Sequence, residues 1–223
     1  MNYIYITASF YLMLLLLVMV GQSVQALPLL NTDDAQIVDP QHCQLEIGQQ
    51  FYQGQHTELA VTPACNIMGA FELGIPLSVD AGQSSYAVQV KKTLFSAEDR
   101  FAIAASAHWQ PNQQHHGQGW QFNLPLTVSA IAGWQFDANL GFNHESKEDE
   151  TTWGVASSYE FNPSHQMSME LFKNQPGRPR AQAVYHYNVV PDNLSLHAAY
   201  GYPLKSEDKP WVGVGMSWVM ATR

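Results

Sequence analysis

The chain has 223 residues, of which 46% are hydrophobic and only 13% charged, with a formal charge of -9. A soluble domain usually carries about 25% charged residues to keep its skin hydrated, so something other than water covers part of this surface. Lys and Arg form no block anywhere, which excludes the electrostatic footprint of a nucleic-acid binder.

Residues 1–26 have the pattern of a signal peptide. The apolar run in ASFYLMLLLLVMVG gives way to QSVQA, which places Val24 and Ala26 at the small-residue positions before a cut. An uncleaved membrane anchor is the alternative; the run is short for a span and no Lys or Arg precedes it. Both readings export the rest of the chain. Residues 27–40 form an acidic leader with Pro28 and Pro40. It either tucks into a lumen as a plug or hangs in the periplasm as a tether, and the sequence chooses neither.

From residue 41 to the C-terminus the pattern is period two, the signature of strands with one greasy and one wet face. CQLEIGQQF and TELAVTPAC flank a turn near Tyr52 to His56. A hairpin centred on Gly54 sets Cys43 opposite Cys65, close enough for a disulfide in an exported protein. Pro63 counts against this strand, because it removes a ladder donor. FELGIPL follows with Phe71, Leu73, Ile75 and Leu77 on one face, then YAVQVKKTL, RFAIAASAHW and WQFNLPLTV. WQFDANLGFN alternates without a fault, and WGVASSYEF, MSMEL, AQAVYHYNV, LSLHAAYGY and WVGVGMSWVM complete the series. Each segment is about the length of a tilted strand crossing a bilayer.

Tight turns (AIAG, NPSH, VPDN) alternate with longer polar stretches (PNQQHHGQG, HESKEDET, NQPGRP, PLKSEDKP), the asymmetry of short periplasmic turns and long external loops. The fold class expected is all-β: a closed antiparallel transmembrane β-barrel of meander topology spanning residues 41–223, with about twelve strands and ten as the fallback. With the last strand ending in the periplasm, FELGIPL runs outward.

A soluble lipocalin-like barrel shows the same alternation with its faces reversed. Its outer face needs abundant charge, whereas the polar face here carries mainly Gly, Ala, Ser, Asn, Gln and His. Trp109, Trp120, Trp134, Trp153 and Trp211 fall at strand ends, as an aromatic girdle does. The closing strand carries Met216, Trp218 and Met220 at alternate positions, like the recognition signal read by barrel-assembly machinery, although Ala221, Thr222 and Arg223 follow.

The stretches DDAQIVDPQHCQLEIG, PACN, FELGIPL, YAVQVKKTLF, FNLPLTVS, TTWGVASSYEF, VVPDNLSLHAAYGY and VGVGMSW together resemble a family of proteobacterial outer-membrane proteins labelled as meta-pathway of phenol degradation proteins. The resemblance spans nearly the whole mature chain, and its motifs are structural. It implies an outer-membrane barrel of a Gram-negative bacterium that moves small, aromatic compounds.

Projected inward, the alternation lines the lumen with Glu46, Glu72, Lys91, His108, Asn123, Asp137, Asn139, Glu170, His186 and His197, joined by Gln89, Glu160 and Gln182. Ionisable side chains within a membrane protein often mark a pathway, and equally form a hydrogen-bonded filling that holds the wall in shape. No CxxC, HExxH or GxSxG pattern occurs, so no metal, cofactor or catalytic residue is expected. His115 and His116 belong to a solvated loop, as do Glu145, Glu148, Asp149 and Glu150, which could alternatively gather divalent cations at lipopolysaccharide. The reading is a channel or transporter for small solutes. Two rivals stand beside it: a closed interaction barrel, and a soluble secreted barrel that binds an apolar ligand. Expected partners are outer-membrane lipid, lipopolysaccharide, the assembly machinery and an unidentified small solute, with no nucleic acid.

Overall fold

A computed structural model describes residues 29–54, 56–97, 100–113, 118–145, 148–174, 178–205 and 209–222. The signal peptide, residues 27–28 of the leader, His115 and His116 therefore lie outside the described residues. The strand segments are β1 His42–Tyr52, β2 Thr57–Asn66, β3 Glu72–Gly74, β4 Leu77–Asp80, β5 Gln83–Tyr86, β6 Val88–Ala97 and β7 Phe101–Gln110. They continue with β8 Gly119–Ile131, β9 Trp134–Glu145, β10 Glu148–Asn162, β11 His165–Lys173, β12 Arg180–Val190, β13 Leu194–Pro203 and β14 Trp211–Ala221.

β3 and β4 both pair with β2 and are halves of one barrel strand, as β5 and β6 are of the next. That makes twelve strands, the number expected from the alternation. Each pairs antiparallel with its sequence neighbour, and β1 pairs with both β2 and β14, which closes the sheet. Closure removes every unpaired edge, the condition for a sheet to survive in lipid.

The interruption between β3 and β4 falls at Ile75 and Pro76, directly across from Pro63. The Ile75 N–H donates to the Pro63 carbonyl at 3.0 Å, but Pro63 has no N–H to return. Its missing donor thus faces the one stretch of β2 where the ladder is already broken, while pairing with β1 continues through Leu45 and Pro63. On the same hairpin, Cys43 and Cys65 stand opposite each other with Cα atoms 4.0 Å apart and are joined by a disulfide.

β9 answers whether the greasy face is a core or a lipid surface. Phe136, Leu140 and Phe142 point outward and are 42%, 60% and 41% exposed, whereas Asp137 between them is 5% exposed. The same holds around the wall, where Leu73, Val88, Phe122, Val155, Leu171, Tyr200 and Val214 form an outer apolar band that no described residue covers. The buried side chains are largely Ser, Thr, Asn, Gln, His and carboxylates, so the barrel is polar inside. No helix among the described residues is long and apolar enough to cross a membrane.

Three expectations need correction. HESKEDET is not a long loop: β9 and β10 stay paired up to Glu145 and Glu148, and Glu150 sits opposite Asn143 on that ladder. Alternation fades once both faces of a hairpin meet water, so the strand continues where the sequence looked like a loop. A second connection at the same end, Ala81 and Gly82 between β4 and β5, is as tight as the turns at the other end. Trp211 is no girdle residue either. It points inward and is 3% exposed, held over Gly201, where a Cβ would lie 1.9 Å from the indole.

Candidate functional site

The leader lies inside the barrel, and the carboxylates and amides of the inner wall hold it there. An extended segment with its backbone unpaired needs donors and acceptors from elsewhere, and the wall supplies them. Glu170 on β11 accepts the N–H groups of Asn31 (2.9 Å) and Thr32 (2.8 Å). Gln182 on β12 donates to both Glu170 and the Leu29 carbonyl. Asn139 on β9, with its amide nitrogen toward the Asp33 carbonyl, donates to it at 2.7 Å and accepts the Asp33 N–H at 2.6 Å. The Ala35 N–H donates to Thr127 (2.8 Å) and its carbonyl accepts from Thr93 (3.0 Å). Glu72 accepts from the Val38 N–H (2.9 Å), and Asn66 donates to the Val38 carbonyl (2.7 Å).

Charge and shape complete the fit. Lys91, 3% exposed, reaches Asp33 at 2.8 Å and Asp34 at 3.6 Å. Leu29 packs against Val184 and Ala199, and Ala35 against Ala102 and Ala104. Gly154 leaves the space that Thr32 fills, since a Cβ there would lie 2.5 Å from the Thr32 hydroxyl.

Open space remains on either side of this segment. A cavity of about 860 Å³ extends from Leu30–Asp34 toward the end of the barrel where Glu145 and Glu150 lie, the outer end in the expected orientation. A smaller one of about 300 Å³ lies beside Ala35–Pro40 at the end that carries His42 and Ala221.

The sequence-derived lumen residues therefore divide into three groups. Glu72, Lys91, Asn139 and Glu170 grip the leader directly, and Asp137 does so through Thr127, whose hydroxyl donates to it at 2.6 Å. Glu46, His108 and Asn123 border the larger cavity, with Glu46 accepting from Gln44 at 2.7 Å. His186 and His197 border neither cavity. They belong to a buried row of side chains across five strands: Ser158 to Ser168 (2.7 Å), Ser168 to His186 Nε2 (2.9 Å), His186 Nδ1 to His197 Nδ1 (2.7 Å) and His197 Nε2 to Ser217 (3.2 Å).

Sequence reasoning missed the leader's own Asp33 and Asp34 and an inward aromatic group in which Trp211 meets Tyr52 (5.7 Å between ring centroids) and Phe172 (6.5 Å). A signal for the second was present. Trp211 has the parity of Gly213 and Ser217, and that parity points inward. Trp109 and Trp120 do stand outward, paired across β7 and β8.

A family model described as "Uncharacterised conserved protein UCP029691" matches residues 14–220. The chain belongs to this family. No curated protein matches it in sequence. Among solved structures, a KdgM porin superposes with a TM-score of 0.67 at 10% identity, covering 78% of this chain and 98% of that one. A COG4313 outer membrane channel from Pseudomonas putida F1 gives 0.63 at 9% identity, covering 84% and 98%. A NanC porin gives 0.62 at 11% identity, covering 78% and 98%. At these identities the likeness concerns the fold: this family member has the architecture of outer-membrane porins. The more specific label of phenol meta-pathway proteins is not among these matches.

Proposed function

We propose that the protein is an outer-membrane channel for small polar solutes, narrowed by its own leader. The observation that carries this is the inverted polarity of a closed barrel: an apolar band outside, and inside a polar cavity of about 860 Å³ that opens toward one end. A soluble barrel that binds an apolar ligand has the opposite arrangement. The porin architecture supports the reading. Aromatic solutes enter it only through the sequence resemblance, and the oligogalacturonate bound by one KdgM porin is an acidic polymer that sits poorly with the carboxylates of this lumen.

The leader across the lumen favours one rival, a closed barrel that acts through its surface. The two separate on a single measurement. Protein purified from the outer-membrane fraction, with gel mobility that changes on boiling, is reconstituted into planar bilayers. A channel gives discrete conductance steps, and Glu170→Ala, which frees the Asn31 and Thr32 N–H groups, raises them. A barrel that stays silent with both sequences is the closed one.

A further inference from the structure

We infer that the outer wall carries a binding site for an anionic phospholipid of the periplasmic leaflet, centred on Lys92. Strand β6 contains two adjacent lysines, and alternation sends them to opposite faces. Lys91 points inward, is buried, and meets Asp33 and Asp34. Lys92 points outward in the row of Val88 and Val90, is exposed, and forms no hydrogen bond or ion pair with a described residue. Its register partner is Ala105, midway along β7 between Phe101 and Trp109. Among the described residues, the outward rows of the strands hold no other charged side chain away from the strand ends. A lysine facing hydrocarbon is costly, and less so toward the interface. Its apolar stem can lie along the wall, but the counter-charge for its ammonium has to come from outside the chain.

The wall around Lys92 says what supplies it. A second copy of this chain does not, because the same outward rows offer no carboxylate away from the strand ends among the described residues. A phospholipid phosphate does. Lys92 lies nearer to Ala97, where β6 ends on the periplasmic side in the expected orientation, than to Gln83, where β5 begins on the outer side. The shape of the wall agrees with that direction. From the level of Lys92 toward the outer end, β7 shows the small side chains of Ala105 and Ala107 to lipid, and Ala107 stands in register between the larger, exposed Val90 and Phe122. This makes a trough that an acyl chain can fill. Toward the periplasmic end the same row is occupied by the bulky Ile103 and Phe101. A lipid seated with its phosphate at Lys92 and its tail along Ala105 and Ala107 therefore has its headgroup on the periplasmic side.

The site concerns the outside of the wall and stands whether or not the lumen conducts. The test is native mass spectrometry of the full mature protein released from nanodiscs of equal phosphatidylglycerol and phosphatidylcholine, with boiling-dependent gel mobility as the check on folding. Bound phosphatidylglycerol is expected to exceed phosphatidylcholine about fivefold, the preference that one lysine beside an anionic headgroup confers. Lys92→Met and Lys92→Gln are each expected to bring the two lipids to parity and Lys92→Arg to keep the preference, while Lys209→Met, just before β14 at the outer end, leaves it unchanged. A lipid ratio that neither Lys92→Met nor Lys92→Gln moves overturns the inference. So does a dimer that depends on Lys92, which would make a second copy the occupant. In discs that also contain lipid A, retention of lipid A in place of phosphatidylglycerol overturns it as well, because the site would then belong to the outer leaflet.

Discussion

Two sets of inward polar side chains on the same wall behave differently. On β10–β14, Ser158, Ser168, His186, His197 and Ser217 bond to one another from strand to strand. Glu72, Lys91, Thr127 and Asn139 on β3–β9, together with Glu170 on β11 and Gln182 on β12, reach inward to the leader. The first set is cemented to itself, and the second is cemented to a segment that can in principle leave. Parity puts a side chain inside the barrel, but only its partner decides whether it serves the wall or the passage.

The largest effect that would test this contrast comes from removing residues 29–40. We expect conductance to rise several-fold while boiling-dependent gel mobility persists, because the barrel hydrogen bonds do not run through the leader. An unchanged conductance would mean that the leader does not narrow the pathway. Replacing both Cys43 and Cys65 by Ser opens a loop whose closure is worth about 3 kcal/mol; the expected result is a lower denaturant midpoint with conductance kept, since the bridge lies on the outer face of the β1–β2 hairpin. His197→Ala leaves the His186 imidazole with a buried unpaired nitrogen, at a cost of about 2 kcal/mol. Equilibrium unfolding in detergent should show that loss, and bilayer recordings should show no change in conductance. A conductance shift in this variant would erase the distinction between the two sets.

Much of the fold was legible in the sequence, because a wall between lipid and water forces strict alternation. The twelve strands, the outward face of Phe136 and Leu140, and the register of Cys43 with Cys65 follow from period two and one hairpin. The leader path was not legible: LPLLNTDDAQIVDP has no period, and its partners Glu170 and Asn139 lie more than a hundred residues away. Glu170 and His186 look equivalent by parity, yet one anchors the leader and the other belongs to the wall. The paired ends of β9 and β10 are illegible for the opposite reason, since beyond the apolar band neither face need be greasy.

The row through His186 and His197 has a further consequence. Two imidazoles that meet Nδ1 to Nδ1 share one proton, so when neutral they must be opposite tautomers. If His186 carries that proton, its Nε2 accepts from Ser168 and His197 donates to Ser217; if His197 carries it, His186 donates to Ser168 and Ser217 donates to His197. Four side chains on four strands thus share a single binary choice: the bonds to Ser168 and Ser217 change direction together, through the proton between the two rings.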